Sequence, residues 1–475
     1  MKASRYGRLI IPAIVIFLAA AIVPAPAARA QDCSAAEIWS NFSNPQSAIL
    51  PAEAFVSTRA DLSNPGARAL ALGGAFIATA DDSTSVVANP AGLGATVRPG
   101  LQLEVRYNPT VQYDRFGEQG RLDPANPGEF VADESSTPFF VSGVAPVGDK
   151  IVLGAFYQTL YASDRTVNRV PAPGTAIDGP CFRTVNIRGG DVDVLVPLYS
   201  LEDETRLWRT GAAAAYRAAP GLAVGVSVYY AAENRDQVLR IGDASGTFYP
   251  DPRNPDGTVR VEDSGFGFEA GLQYSPSDVF RVGLVWSSKV VFGNENEAAN
   301  GPNPVSAAFR GTVIPMRVGA GFSWAFHPRW SLGMDGVFLG TSAEKDEINY
   351  ADPRPPAAAM DPGNWEQDDT WEVRAGLEWS LVQTRTTSLS ARFGGWLQTA
   401  SDLRFVPKGE APGYDTQYFF DALSVVFPSE SSSSFTHATF GFGLVSQMKW
   451  QVDVGGDYEF KTGTFVASGL LGYTF

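Results

Sequence analysis

Histidine and cysteine are the scarcest reactive residues in this chain. Among 475 residues the sequence has two of each. Two cysteines are too few to hold together a disulfide-dense scaffold, and a chain of this length does not need one. The histidines, His327 and His437, fall near the ends of extended segments, and neither belongs to a recognisable Ser-His-acid pattern. We therefore expect no enzymatic activity.

Charged residues are also sparse, and the basic ones do not cluster. Asp, Glu, Lys and Arg make up 18% of the chain, against about 25% in average proteins. The net charge is −15, and without a long basic run the chain is not expected to bind nucleic acid. The sequence also lacks a phosphate-binding glycine loop in its strand–loop–helix context and the spacing of a calcium loop. We expect no cofactor and no metal.

Long apolar runs are confined to residues 1–30. Basic residues between positions 2 and 8 precede the apolar stretch Leu9–Val23, and Ala28-Arg29-Ala30 provides a small-residue cleavage site. This order is typical of a secretory signal, and the short run is interrupted by Pro12, which argues against a membrane anchor. We assign residues 1–30 to a signal peptide. No later stretch has the roughly 18 apolar residues of a helical membrane span.

The two cysteines belong to a chain that is bound for an oxidising compartment. Cys33 follows the cleavage site closely, and Cys181 lies in a long polar stretch. A disulfide between Cys33 and Cys181 and a pair of unpaired thiols are both compatible with the sequence, because sequence does not show proximity.

From about residue 100 onward, apolar and polar residues alternate along extended segments. Large apolar residues between Met316 and Phe326, for example, alternate with small or charged residues between Arg317 and Ala325. Such alternation indicates strands with one apolar face. The segments have about ten residues or more, whereas globular strands usually have about five or six. Their connections alternate between short turns and long loops. This alternation is typical of a transmembrane barrel and is not expected of a soluble sandwich.

We predict an all-β fold, a transmembrane antiparallel β-barrel of about fourteen strands in the bacterial outer membrane. An even strand number is what a single-chain bacterial barrel requires, and outer-membrane lipid is its expected surrounding. The strands are expected near residues 101–113, 136–147, 151–163, 204–219, 222–236, 259–274, 279–291, 311–326, 330–345, 368–381, 388–400, 435–446, 449–460 and 464–475.

The last predicted strand carries a second signal. Leu471, Tyr473 and Phe475 occupy alternate positions, and the chain ends on the aromatic Phe475. This pattern resembles the recognition signature that outer-membrane barrels present to their assembly machinery. The resemblance implies that this machinery is a partner of the chain.

Residues 31–99 do not follow the strand rhythm. They contain clusters of small and turn-forming residues and the string from Gly66 to Asp82, and Asn89-Pro90-Ala91 follows. A barrel of about fourteen strands is wider than one filled by its own side chains, so it needs an open channel or an internal plug. We predict that residues 31–99 form an amino-terminal plug and that residues 100–475 form the barrel.

This amino-terminal string resembles the start of the long-chain fatty acid transporter (FadL) family of outer-membrane proteins, whose hatch carries an Asn-Pro-Ala motif. The resemblance implies passive uptake of a hydrophobic small-molecule ligand, such as a long-chain fatty acid or an aromatic hydrocarbon. It also implies a hatch movement that opens a route through a gap in the barrel wall. Hatch-bearing relatives that carry secreted proteins share the string, so a scaffold or shuttle for surface proteins is the alternative. The hatch residues that the resemblance identifies are Gly73, Gly74, Asp81, Asp82, Asn89, Pro90 and Ala91.

Alternation also places charged side chains on the lumen face. In one interpretation they pair with each other and with Arg68, Asp81 or Asp82 of the plug. In the other, an arginine receives a substrate carboxylate, for which its forked guanidinium group is suited. Phe76, Arg317 and Arg374 are our candidates for substrate contact, in a barrel that we expect to be a monomer. The predicted lumen charges are Arg281, Arg317, Arg374, Arg392, Glu269, Glu372, Glu378, Asp335, Lys449 and Asp453.

Overall fold

The computed structural model describes residues 62–107, 111–114, 129–135, 139–169, 182–187, 190–195, 198–242, 248–249, 258–292, 313–347, 362–401, 403–408, 434–461 and 463–475. The predicted signal peptide, the first part of the predicted plug (residues 31–61), and both Cys33 and Cys181 lie outside the described residues.

Fourteen long antiparallel strands form one closed sheet, which confirms the predicted barrel. Each strand pairs with the next in the chain, and the first pairs with the last, from Gly100 opposite Thr474 to Tyr107 opposite Ala467. The strands are β1 (Gly100–Tyr107), β2 (Phe139–Val147), β3 (Ile151–Arg169), β4 (Leu198–Ala219), β5 (Leu222–Gly242), β6 (Thr258–Ser277), β7 (Phe280–Ser287), β8 (Arg317–His327), β9 (Trp330–Leu339), β10 (Thr370–Gln383), β11 (Thr387–Gln398), β12 (Phe435–Ser446), β13 (Trp450–Glu459) and β14 (Phe465–Thr474).

Shorter elements lie between the long strands. Val111–Asp114 pairs with Glu129–Ser135, which continues alongside the far end of β3. The remaining short strands are Phe182–Ile187, Gly190–Leu195, Phe248–Tyr249, Val290–Val291, Val313–Ile314, Trp365–Glu366 and Arg404–Phe405, and two 3-10 helices span Thr341–Glu347 and Pro362–Asn364.

The two ends of the barrel differ in their connections. At one end the strands are joined by turns of two or three residues. At the other end they are joined by long segments, except that residues 460–464 join β13 to β14. Short turns mark the periplasmic end of an outer-membrane barrel, and long loops mark the outer end. The short turns are residues 148–150, 220–221, 278–279, 328–329, 384–386 and 447–449.

The barrel exterior is apolar. Along β5, Val224, Val226 and Val228 are exposed, while the intervening Ser227 is buried toward the lumen. Near the periplasmic turns, Trp330 stacks on Trp379 with ring centroids 5.0 Å apart, as expected for an interfacial aromatic girdle. This closed barrel with a lipid-compatible outer face resides in the bacterial outer membrane. Among the described residues, no helix has the length and apolarity to cross a bilayer.

The three alternating residues of the carboxy-terminal signature lie on the outer face of the closing strand. Leu471 and Phe475 are exposed. Tyr473 contacts the Phe475 ring at 5.1 Å and the Trp450 ring at 4.7 Å between centroids. This face is therefore an aromatic patch beside the seam between β1 and β14.

Residues 62–99, here termed the lumenal segment, pass through the inside of the barrel. Helix α1 (Ala67–Ala71) packs on β12 and β13, while α2 (Ser85–Ala88) and the 3-10 helix Pro90–Ala95 pack on β3 to β6. Most of the helical residues are buried, while Ala95 at the end of the 3-10 helix is exposed. One short segment thus contacts opposite walls of the barrel.

Candidate ligand-binding lumen

Inward-facing glycines make room for the lumenal segment. A methyl group added at Gly225 would overlap the Pro90 backbone, and one added at Gly271 would overlap the Asn89 side chain. The same close approach recurs around the barrel, so the segment lies directly against the wall backbone. The other glycines in such contact include Gly283, Gly319, Gly376, Gly394, Gly441 and Gly455.

Positions 73 and 74 require glycine for two reasons, which are their backbone conformation and the small space between them and the barrel wall. Their φ angles are +64° and +75°, in the left-handed region that glycine adopts at little cost. A side chain on Gly73 would also overlap the backbone of Gly395 and Ala375. The pair therefore forms a turn that only glycine fits, pressed against β10 and β11.

Carboxylates of the wall bind exposed N–H groups of the lumenal segment. Asp335 Oδ2 accepts from the backbone N–H of Phe76 at 2.6 Å and of Ile77 at 2.8 Å. Glu104 Oε2 accepts from the N–H of Gly66 at 2.6 Å. Because a buried N–H without a partner is costly, these two carboxylates replace the hydrogen bonds that regular secondary structure would supply.

Arg317 binds carbonyl groups of the same segment. Its guanidinium donates to the carbonyls of Val87 at 3.2 Å and Ala88 at 3.1 Å, and to Asn64 Oδ1 at 3.1 Å. The side chain is buried. In this arrangement the group predicted to receive a substrate carboxylate instead holds the end of α2.

Arg374 and Phe76, the other two candidates for substrate contact, are occupied in the same way. Arg374 donates to the Gly74 carbonyl at 3.3 Å and pairs with Glu372. Phe76 is 1% exposed, and the Arg68 guanidinium lies 5.5 Å from its ring centroid. The structure therefore brings Phe76, Arg317 and Arg374 to the contact between the lumenal segment and the wall.

The Asn89-Pro90-Ala91 motif is a hydrogen-bonding corner. Asn89 Nδ2 donates to the Ile77 carbonyl at 2.9 Å and to the Leu272 carbonyl of β6 at 3.3 Å. Its Oδ1 accepts from the Ala91 N–H at 3.2 Å and caps the helix Pro90–Ala95. An amide provides both donors and an acceptor in one side chain, which explains why asparagine suits this position.

A chain of ion pairs joins the lumenal segment to the wall. Arg68 contacts Asp81 at 2.7 Å and Glu378 at 3.4 Å. Asp81 also contacts Arg281 at 3.2 Å, and Glu378 contacts Arg392 at 2.6 Å. Of our two interpretations of the lumen charges, these contacts match the one in which the charges pair with each other and with the plug.

One predicted lumen charge lies elsewhere. Lys449 is exposed in the turn 447–449, because β12 ends at Ser446 and β13 begins only at Trp450. The period of two does not continue through a turn, so the prediction for Lys449 was wrong.

The adjacent carboxyl groups of Asp81 and Asp82 are in opposite electrostatic situations. Burial inside the barrel raises the pKa of Asp82 and outweighs the attraction of Arg68, and the neighbouring Asp81 charge raises it further. Burial acts on Asp81 too, but Arg68 and Arg281 together lower its pKa. Asp82 hydrogen-bonds only locally in the described network, to the N–H of Thr84 at 2.9 Å and to its hydroxyl.

An apolar cluster lies on the other side of the lumenal segment from these ion pairs, against β2 to β5 and the residues 290–292 and 314 between β7 and β8. Val86 fills the space that Gly154 leaves open in β3. At a register shift between Thr159 and Tyr161, β3 also contributes the completely buried Leu160. The cluster further includes Val87, Leu93, Phe140, Val144, Val152, Phe156, Leu207, Ala213, Ala215, Tyr229, Ala231, Val290, Phe292 and Ile314.

A polar chamber of about 530 Å³ lies toward the periplasmic end. Arg68 and Asp82 of the lumenal segment line it together with Glu378 and Arg392 of the wall. Ser83 Oγ, Thr96 Oγ1 and Gln102 Oε1 are buried there without a hydrogen-bond partner among the described residues. The segment thus separates an apolar region from a polar one.

Two lumenal clusters were not predicted from the sequence. On β11 to β13, the rings of Trp396 and His437 stack 3.7 Å apart, and Asp457 hydrogen-bonds both. On β4 and β6, buried Arg209 pairs with Glu269 at 3.0 Å. Alternation identifies each of these residues as inward-facing, but their partners depend on a strand register that the pattern does not contain.

Comparison with known proteins shows a shared barrel fold. No protein-family model matches the chain, and no curated protein matches its sequence. A FadL homologue of Pseudomonas aeruginosa matches with a TM-score of 0.53 and 13% identity, covering 88% of this chain and 99% of that chain. The CymD monoaromatic hydrocarbon channel matches with a TM-score of 0.51 and 15% identity, covering 88% and 99%. The Ralstonia pickettii toluene transporter TbuX matches with a TM-score of 0.50 and 14% identity, covering 87% and 98%.

At 13–15% identity, the similarity to these structures shows a shared fold. It confirms, for the fold, the resemblance to the FadL family that the sequence indicates.

Gly225→Ala tests whether the glycine contacts seat the lumenal segment. The added methyl group overlaps the Pro90 backbone, so we expect a loss of about 1–3 kcal/mol in stability and a higher ion conductance in planar bilayers. Gly336→Ala is the matched control, because a methyl group there meets nothing within 4 Å. Equal effects of the two substitutions would contradict the role of these contacts.

Asp81→Asn and Asp82→Asn should have different effects at neutral pH. Asp81→Asn removes two ion pairs and should destabilise the folded barrel by about 2 kcal/mol, whereas Asp82→Asn removes a carboxylate whose pKa is raised and should cost little. Because the pKa of Asp81 is lowered, its contribution is present at neutral pH and is lost as the pH falls through that lowered value. Thermal unfolding of the wild type and both variants from pH 7 to about pH 2 measures this, and a larger loss at neutral pH for Asp82→Asn than for Asp81→Asn would reject the assignment.

Proposed function

We propose that this chain is a passive outer-membrane transporter for hydrophobic compounds, with long-chain fatty acids or aromatic hydrocarbons as cargo, and that it has no catalytic role. The observation that carries the proposal is the lumen itself, where a short segment covers an apolar cluster instead of leaving an open charged constriction. The proteins of similar fold, a FadL homologue, a monoaromatic hydrocarbon channel and a toluene transporter, support this type of cargo.

The apolar cluster provides the cargo surface. Its side chains from β2 to β5, and those of Val86 and Leu93 of the lumenal segment, offer contacts to an alkyl chain or an aromatic ring. Apolar contact gives affinity in proportion to buried area and discriminates little between such compounds. We infer that cargo replaces contacts of the lumenal segment within this cluster.

The exit of the cargo is proposed to be lateral, into the bilayer. The pairing between β3 and β4 is irregular at Leu160, which lies in the apolar cluster. The opposite route crosses the polar chamber lined by Arg68, Asp82 and Glu378, where an apolar compound would leave charged groups poorly solvated. A wall exit therefore costs less than a periplasmic one.

Residues 31–99 are proposed to act as the hatch, and residues 1–30 as the signal that exports the chain. The segment is held by individual side-chain hydrogen bonds from Asp335, Arg317 and Arg374, and not by a sheet ladder. Such contacts break and re-form one at a time, which suits a hatch that moves. The aromatic patch of Leu471, Tyr473 and Phe475 is proposed as the contact for the barrel assembly machinery.

Uptake measurements in a deletion strain test the proposed function. Cells that carry the gene on a plasmid should accumulate radiolabelled oleate or toluene faster than the deletion strain. The surface-protein profile should be the same in both strains. Unchanged uptake together with lost surface proteins would instead establish the scaffold or shuttle role.

A reversible tether tests whether the lumenal segment moves during uptake. A Cβ at Gly333 of β9 would lie 3.7 Å from the Cβ of Ala75, within the range that a disulfide spans. In a Cys33→Ser, Cys181→Ser background, the Ala75→Cys, Gly333→Cys variant should lose uptake when oxidised and regain it after reduction. The two single-cysteine variants are controls, and undiminished uptake by the oxidised tether would show that this contact stays closed.

A further inference from the structure

The outer wall of the barrel has an apolar hollow, here termed the outer hollow, which extends across β6 to β10. Its volume is about 770 Å³, and every residue that lines it is glycine or has an apolar side chain. Leu284, Val318 and Trp371 are exposed, so the hollow opens toward the membrane and not toward the lumen. The lining includes Leu284, Val318, Ala320, Gly336, Phe338 and Trp371.

Two small residues form the floor of the outer hollow. Ala320 of β8 and Gly336 of β9 lie directly opposite each other in the strand register, and both are exposed. A methyl group added at Gly336 would meet nothing within 4 Å. The inward-facing glycines are explained by the lumenal segment that lies against them, but Gly336 is on the other face of the wall. Its small size therefore leaves open space on the lipid-facing surface.

Larger side chains surround this floor. Leu284 of β7 lies opposite Ala320 in the strand register. On the side of the outer loops, Phe338 of β9 lies opposite Trp371 of β10, and their rings meet edge to face with centroids 4.9 Å apart. The outer hollow is therefore bordered by an aromatic pair on its loop side and by an aliphatic side chain on the neighbouring strand.

The position of the outer hollow along the wall places it in the outer half of the membrane. Gly336 lies six positions along β9 from Trp330, whose ring stacks on Trp379 in the periplasmic girdle. With a strand rise of about 3.4 Å per residue and a tilt of about 45°, this spacing corresponds to about 15 Å along the membrane normal. The apolar band of an outer-membrane barrel is about 25 Å tall. The hollow is thus beyond the middle of this band, at the level of the acyl chains of the outer leaflet.

Packing decides what fills this hollow. The bilayer and the wall are both apolar, so the hydrophobic effect contributes little here, and van der Waals contact provides the attraction. An unfilled space loses the contacts of the atoms that line it, and water needs polar partners that this lining lacks. The outer hollow is continuous with the lipid-facing surface, and an acyl chain is flexible enough to follow its floor.

We propose that the outer hollow is a preferred binding site for an acyl chain of an outer-leaflet lipid. This inference goes beyond the proposed transport and does not depend on the cargo. On its inward face the same strand β9 carries Asp335, which accepts hydrogen bonds from Phe76 and Ile77 of the lumenal segment. A chain in the hollow therefore supports from outside the part of the wall that holds this segment from inside.

Photolabelling of the full barrel in phosphatidylcholine nanodiscs tests the proposal. A small fraction of the phosphatidylcholine carries a photoreactive diazirine at the middle of one acyl chain, and mass spectrometry maps the labelled residues. Labelling per exposed area should be about threefold higher at Leu284 and Phe338 than at Val105 and Val454 on the opposite wall, because a few additional dispersion contacts favour the hollow.

Variants that fill the outer hollow should remove this excess labelling. Gly336→Leu is the first, and Ala320→Leu is a second filling variant with the same expected effect if Gly336→Leu fails to assemble. Gly469→Leu is the matched control, because Gly469 is also exposed and a methyl group there also meets nothing within 4 Å. It lies between Val105 and Val454 in the strand register, away from the hollow, and should leave the excess unchanged.

Three other results would overturn the proposal. The first is equal labelling around the whole barrel, or an excess that both filling variants leave unchanged. The second is loss of the excess when toluene is added, which would show that cargo occupies the hollow instead. The third is a wild-type dimer in sedimentation experiments that Gly336→Leu converts into a monomer, which would show that a second copy of the chain occupies it.

Discussion

The structure depends on one constraint, which is that a peptide segment inside a barrel must find hydrogen-bond partners away from bulk water. The barrel strands meet this constraint by pairing with each other, but the lumenal segment has only short helices and turns. Its free N–H and C=O groups are bound by side chains of the wall, with Asp335, Arg317, Gln273 and Thr439 each serving one stretch of backbone. Such short side-chain bonds need close approach, and inward-facing glycines permit it. Hydrogen bonding and glycine placement are therefore two aspects of the same requirement.

This constraint changes the meaning of charge in the lumen. In a water-filled channel, an inward arginine is available to a solute. Here Arg317 and Arg374 are buried and their guanidinium groups are committed to carbonyls of the lumenal segment. These buried charges are tolerated inside the barrel because each is ion-paired or hydrogen-bonded. A group that is available to cargo must therefore lie outside this contact or become available when the segment moves.

The sequence predicts the barrel well because the physical cause of the pattern acts locally. Lipid on one side and lumen on the other impose a period of two, so Val226 and Ser227 reveal their faces from their own residue types. The lumenal contacts are different, since Asp335 and Phe76 are separated by 259 positions and meet only through the strand register and the path of the segment. The stack of Trp396, His437 and Asp457 depends on the same register. Residue types predicted the inward charges, while their partners required the three-dimensional arrangement.

The two sides of the lumenal segment divide the chemistry of an amphiphile between them. Apolar side chains around Val86 and Leu160 provide contacts for a hydrocarbon chain, whereas a chamber lined by Arg68, Asp82 and Glu378 favours water. A hydrocarbon that moved toward the periplasm would lose apolar contact and desolvate charged groups, so both free-energy terms oppose that path. Movement toward the wall keeps the apolar contact and ends in lipid, where the hydrocarbon remains buried. For the proposed passive transport, this distribution of polar and apolar groups therefore favours a route through the barrel wall over a route through the periplasmic end.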